Sequence, residues 1–316
     1  MPRAESGSWK IPAAYAAVYV AWGSTYFAIK IGVAHFSPAG MCGVRFALAA
    51  ALMFGAWRWF SGGRAAPTAR ECLSAAGIGA VLLGGGTGGL AYAERVVPSG
   101  VCALVIGCSP MLFALFNRLA GGPALSGRQI AGGLLGTTGA VLLALDGGGA
   151  KDAGFPLAGL GVLVFGMVCW TGSSVASKYV PLPKDNLLTA AVQNLTASIL
   201  LLALGLARGE FRPADLSTLR PDTWAAIVYL AVVGSGLGFT AYTWLLAHEP
   251  ANRVSSYAFV NPVVAVALGT ALGGEPLTKT MGAAICLILG GVALSMLGAR
   301  GKEAAEPPPR AGIEPA

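Results

Sequence analysis

The feature that most constrains this chain is a succession of apolar runs, each close to 20 residues long and poor in charge. A helix rises about 1.5 Å per residue, so about 20 residues cross a hydrocarbon layer about 30 Å thick. Ten runs meet that length: 11–29, 38–59, 72–93, 97–119, 127–145, 156–177, 187–207, 222–246, 252–273 and 280–298. They lack the polar alternation that a barrel or a doubly wound sheet would require. The expected fold is all-α, a polytopic membrane protein of ten transmembrane helices. Only 11% of the residues are charged, against about 25% in soluble domains, so the lipid bilayer is the natural solvent. The net charge of +7 is spread between the runs and points to membrane orientation, with no nucleic-acid partner.

Prolines inside the fourth run (Pro110) and the ninth (Pro262) predict kinks. The first run leads straight into the second and reads as a retained span rather than a cleaved signal. Residues 299–316, polar and proline-rich, read as a disordered cytoplasmic tail. With the N-terminus inside, the first half places seven Lys and Arg residues on inner segments and two, Lys30 and Arg95, on outer ones. The second half divides six to five and does not orient itself. An even number of spans then puts both termini in the cytoplasm. The six cysteines, at 42, 72, 102, 108, 169 and 286, lie in or beside apolar runs without CxxC spacing and read as small buried hydrophobes. His35 and His248 are isolated, and neither a metal site nor a cofactor is expected.

The chain also repeats itself. At an offset of 148, Trp22 matches Trp170, Lys30 matches Lys178 and Arg45 matches Gln193. At an offset of 152, Pro98 matches Pro250, Pro110 matches Pro262, Leu125 matches Leu277 and Gly139 matches Gly291. The copies are 11–145 and 156–298, with five spans each. An odd number of crossings turns the second copy upside down, the inverted repeat of many secondary transporters. A channel or an enzyme can carry such a repeat too.

The segments WGSTYFAIK, SPAGMCGVRFALAA and SSYAFVNPVVAVALGTALGGEPLTKTMGAAICLILGGVAL carry a resemblance to the EamA-like family of the drug/metabolite transporter superfamily. It covers about 11–298. The resemblance implies ten helices as two inverted five-helix repeats, both termini cytoplasmic, in the cell (inner) membrane. It also implies secondary transport of a small metabolite, usually efflux, with spans one to four and six to nine lining the path. One departure stands out. Gly274-Glu275-Pro276 precedes the tenth span, but Gly121-Gly122-Pro123 precedes the fifth, so the family's Glu, read as a cap for the next helix, is present once.

Candidate site residues follow from polar and aromatic groups within the spans. Arg45 lies about 10 Å into the second span. An arginine at that depth needs protein, water or a ligand, and an anion clamp for a carboxylate or phosphate is the functional reading. Glu94, the nearest acid by depth, is its candidate partner and a candidate proton-coupling group. Trp22 with Thr25, and Trp170 with Ser173, each share a helix face in corresponding spans. Tyr92 ends the third span, and Tyr257 stands one turn before Asn261 in the ninth. Gln193 lies inside the seventh. Gly84-x-Gly86-x-x-Gly89 mimics a dinucleotide fingerprint but sits in a continuous apolar span, so close helix packing explains it. Gly132/Gly136/Ala140 and Gly282/Cys286/Gly290 form small-residue seams that pack the bundle or make a homodimer face.

The expected function is a secondary-active exporter of small metabolites (amino acids or related compounds) working by alternating access, and not an enzyme. No Walker motif accompanies the spans, so an ion or substrate gradient, with proton coupling as the first expectation, supplies the drive. A lipid-linked sugar or nucleotide-sugar carrier, a non-transporting membrane protein and a membrane-embedded enzyme stay open as alternatives.

Overall fold

A computed structural model describes residues 9–60, 67–122, 124–146, 157–248, 254, 257–274 and 277–303. These are helical, with no strand among the described residues. In order, the helices are α1 (Lys10–His35), α2 (Pro38–Phe60), α3 (Ala69–Ala93), α4 (Ser99–Leu119) and α5 (Gly127–Asp146). The second set is α6 (Leu157–Ala176), α7 (Asn186–Ala207), α8 (221–248), α9 (Tyr257–Gly273) and α10 (Lys279–Glu303). Among the described residues, seven helices are long and apolar enough to cross a membrane: α1–α4, α6, α7 and α8. The other three occupy the remaining expected positions, and α9 and α10 hold shorter apolar stretches, Val260–Gly273 and Lys279–Gly291.

Local chemistry sets the helix ends. Ser37 Oγ accepts from the Gly40 N–H just before Pro38 begins α2. Thr68 and Glu71 form a capping box on α3, and Ser126 and Gln129 exchange the same pair of bonds on α5. Asp185 accepts from the Leu187 and Leu188 N–H groups at α7. Thr278 caps α10 through the Met281 N–H. Ser126 and Thr278 are repeat partners, so both helices gain a cap without the family's Glu. Glu275 lies outside the described residues. The expected tail begins later than 299, because α10 continues to Glu303; 304–316 lie outside the described residues.

The two prolines act differently. α4 breaks into Ser99–Gly107 and Ser109–Leu119 at Cys108, which places Pro110 in the first turn of the second piece. α9 runs through Pro262 unbroken. α3 and α8 each contain a wide π-helical stretch, Ala80–Thr87 and Leu230–Gly238, at corresponding places in the two halves.

Packing follows the repeat. α2 lies against α7, α4 against α9 and α5 against α10, so each of these helices meets its own repeat partner. The remaining pairings exchange between halves: α1 with α8 as α6 with α3, α1 with α9 as α6 with α4, α2 with α8 as α7 with α3. The halves are thus related as by a two-fold axis. Small residues permit the closest approaches. Ser198 Oγ on α7 donates to the Gly43 carbonyl on α2 at 2.8 Å. A Cβ added to Gly291 would stand 2.5 Å from the Gly132 carbonyl oxygen, which identifies the α5 seam as bundle packing. Gly84, Gly85, Gly86, Gly88 and Gly89 pack against α6 and α7 as expected. The Gly282/Cys286/Gly290 seam instead faces away from the bundle, with open space beside both glycines and Cys286 exposed. Cys42, Cys102 and Cys108 are buried; Cys72 and Cys169 are half-buried.

Candidate functional site

The two halves meet around a group of aromatic rings. Trp22 on α1 lies 4.8 Å from Tyr242, 5.1 Å from Tyr257 and 6.0 Å from Trp170, measured between ring centroids. Helices α1, α6, α8 and α9 each supply one ring. Trp22, Trp170 and Tyr242 stay half-buried although they sit at the centre of the helix packing. The Trp22 indole N–H donates to the Gly234 carbonyl at 3.2 Å. That carbonyl belongs to the π stretch of α8, where widened turns disturb the regular i to i−4 ladder. Gly238 lets the indole approach, since a Cβ there would stand 2.7 Å from Trp22 Nε1.

Arg45 projects onto the same π stretch. It is 6% exposed. Its Nη2 donates to Ser235 Oγ at a long 3.5 Å, and its guanidinium carbon lies 5.0 Å from the centre of the Phe46 ring. Its Nε and Nη1 have no hydrogen-bond partner among the described residues. Three of its five N–H donors therefore remain unsatisfied in a buried place, an arrangement that costs free energy until an acceptor arrives. Thr25, 8% exposed, donates to the Trp22 carbonyl at 2.7 Å and turns its methyl toward Gly234.

The other half repeats this arrangement with different chemistry. Trp170 lies against Gly86 in the π stretch of α3, as Trp22 lies against α8. Ser173, at the place of Thr25, donates to the Cys169 carbonyl at 2.6 Å. Gln193, at the place of Arg45, is 5% exposed, and its Cα packs on Gly79. Asn261, 4% exposed on α9, keeps its Oδ1 without a partner among the described residues.

Two expected site residues stand apart from the rings. Tyr92 donates to Glu210 Oε2 at 2.5 Å, and Arg208 pairs with Glu210 Oε1 at 2.7 Å. This cluster borders a cleft of about 670 Å³ at one end of the bundle, lined by His35, Arg95, Glu210, Asp215 and Arg220 among others. Glu94 ends α3 and is fully buried, close enough for its field to reach Arg45 and Tyr26. Lys30 Nζ donates to the Glu94 carbonyl at 2.7 Å and to that of Val97 at 3.4 Å. A cation thus satisfies carbonyls left free at the end of α3.

Sequence reasoning missed Gly234, Ser235 and Gly238; Tyr242, which ends the eighth span as Tyr92 ends the third, reads from the sequence as an interface anchor or a substrate contact. A signal existed. Gly84, Gly86 and Gly88 recur as Gly234, Gly236 and Gly238 at a constant offset of 150, and the two sets mark the π stretches. Among the described residues, no cluster of three His, Cys, Asp or Glu side chains could hold a metal.

Comparison with known proteins agrees with this geometry. The model of the EamA-like transporter family matches residues 10–145 and again 157–297. The chain is 37% identical over 285 residues to the "Uncharacterized inner membrane transporter YedA" of Escherichia coli (strain K12), covering 89% of each protein. It is 26% identical over 294 residues to the "Probable amino-acid metabolite efflux pump" of Salmonella typhimurium (strain LT2), covering 90% of this chain and 93% of that one. A solved crystal structure superposes with a TM-score of 0.63 at 21% identity, over 93% of this chain and 98% of the other, and shares its fold. With its fold, its internal repeat and both family matches in agreement, the chain belongs to the EamA-like transporter family.

Proposed function

We propose that this protein is a secondary-active exporter of a small metabolite, amino-acid-like in size and polarity, working by alternating access of its two halves. The observation that carries the reading is Arg45. A buried guanidinium with unsatisfied Nε and Nη1, beside Ser235, Thr25 and the half-buried Trp22, is built to receive a ligand. The name of the Salmonella relative supports efflux and the amino-acid class. Cytoplasmic termini follow the charge bias of the first half, and the name of the Escherichia coli relative supports the inner membrane. Proton coupling is assigned to Glu94, the fully buried acid nearest in field to Arg45. A lipid-linked sugar or nucleotide-sugar carrier would call for a wide basic cavity. Among the described residues Arg45 is the one buried base, so that alternative gains no support.

The test is metabolite profiling of the medium from overexpressing cells, against cells making Arg45→Ala at equal membrane level. A compound that accumulates outside with the native protein and not with the variant is the expected result. Accumulation with both removes Arg45 from the path, and accumulation with neither rejects export.

A further inference from the structure

The repeat pairs many groups of the central site, and two of the places where the pairs differ bear on what it takes. Thr25 and Ser173 are equivalent hydroxyls, and Trp22 and Trp170 are equivalent rings. Arg45, however, faces Gln193 across the repeat, and Ser235 stands where the other half has Gly85. One wing thus carries a fixed positive charge and an extra hydroxyl. The other carries an uncharged amide that both donates and accepts.

The distance between the wings follows from the packing of α2 on α7. The two run antiparallel: Gly205 near the end of α7 meets Ala39 at the start of α2, and Ser198 meets Gly43. Asn194, adjacent to Gln193, reaches Met53 with its Nδ2 at 3.8 Å from the sulfur. Met53 lies eight residues beyond Arg45 on α2. Counted from the Gly205–Ala39 contact, Gln193 sits about 9 Å below Arg45 along the helix axis. Trp22, one turn from Thr25, falls between these levels with its ring half-buried.

We infer that the site takes an unsymmetrical organic monoanion: a carboxylate at Arg45, a flat apolar middle against the Trp22 and Trp170 rings, and an uncharged hydrogen-bonding end at Gln193. A single guanidinium with three free donors satisfies one carboxylate. A second charge would arrive at an amide, which cannot neutralise it, and would bear its desolvation cost unpaired. Glu94 adds negative field on the Arg45 side, so a ligand with two anionic groups is disfavoured there as well.

This inference rests on the proposed transport site, but its test is independent of transport. The purified, full-length protein in lipid nanodiscs is titrated with 4-carbamoylbenzoate, terephthalate and benzamide, and its thermal midpoint is followed. The first probe has one carboxylate and one amide on a flat ring, the second two carboxylates, the third no carboxylate. The expected result is a saturable rise with 4-carbamoylbenzoate, and terephthalate and benzamide half-saturating about tenfold higher or worse. Arg45→Gln removes the rise. Gln193→Arg, which places a cation on both wings, reverses the preference toward terephthalate. No acid-dependent rise in the native protein, a rise that survives Arg45→Gln, or a preference unchanged by Gln193→Arg each overturns the inference. Failure to find an exported compound would instead strike at the export reading and leave this binding result standing.

Discussion

Gly79→Ala offers a sharp test of how the α3–α7 contact is built. A Cβ on Gly79 would stand 2.4 Å from Gln193 Cα and 2.6 Å from the Gln193 carbonyl oxygen. Both are backbone atoms, so no side chain can swing aside. Ordinary contact begins near 3.4 Å, and the helices must separate by about 1 Å. Overpacking of this kind costs about 1–3 kcal/mol, and it acts against a gain of about 1 kcal/mol from replacing glycine by alanine within a helix. Gly77 supplies the control. It lies on the same helix, two residues away, with nothing within 4 Å of an added Cβ, so Gly77→Ala collects the propensity gain without the clash. The two variants should therefore differ in unfolding free energy by about 1–3 kcal/mol, with Gly79→Ala the less stable. Denaturant unfolding in one detergent measures the difference directly. Equal stability of the two alanine variants would refute the close approach. Because Gln193 moves with the contact, Gly79→Ala should also weaken 4-carbamoylbenzoate binding, while Gly77→Ala leaves it unchanged.

Other expectations follow from single contacts. Ser198→Ala removes the bond to the Gly43 carbonyl and should cost about 0.6 kcal/mol, the average for interhelical bonds in membranes, measured by the same unfolding; no loss at all would deny the bond. Gly291→Leu should abolish stable expression, because its Cβ meets the backbone of Gly132 and Gly136, whereas the neighbouring Gly290→Leu meets open space and should be tolerated; equal expression of both would reject the α5–α10 packing. Lys30→Met should loosen the tie between α1 and the α3–α4 connection, so that a cysteine placed at the buried Val97 in a cysteine-free background reacts faster with an impermeant thiol reagent; an unchanged rate would show that Lys30 holds nothing closed. Glu94→Gln should make export independent of the proton gradient, and export that still follows the gradient would move coupling elsewhere.

Helix positions were readable in the sequence because lipid imposes them. A backbone without water must bond to itself, so apolar runs about 20 residues long have few other options. Nine of the helices begin within three residues of the expected run; α9 begins at Tyr257 rather than 252, with most of the intervening residues outside the described set. The grouping of the candidate site residues was legible only in part. Of the residues expected from the sequence, the structure brings Trp22, Trp170 and Tyr257 together in the ring group and sets Thr25 and Arg45 beside it at Gly234. Tyr92 lies apart from the rings, bonded to Glu210, which is 118 residues away on a connection that the sequence pattern does not link to it. The π stretches escaped because glycine-rich apolar sequence is compatible with more than one helical register, and the choice is made by the helices packed outside it.

That last point joins fold to function. Each π stretch meets the opposite half: α8 meets Trp22, Thr25 and Arg45, and α3 meets Trp170 at Gly86 and Leu200 at Gly84. A shift of one half against the other would therefore act on these wide turns, which touch the partner half through the Gly234 carbonyl and Ser235 in α8 and through Gly86 in α3. Lys30 is engaged at the α3–α4 connection while its repeat partner Lys178 is exposed. In the alternating-access proposal, this inequality of two equivalent lysines corresponds to closure at one end. Exchanging the roles of the halves would release Lys30 and engage Lys178, with the Arg45 wing and the Gln193 wing changing places between the closed and open ends. In the alternating-access proposal the repeat would supply the two gates, and the Arg45/Gln193 difference would decide which end of a ligand each gate meets.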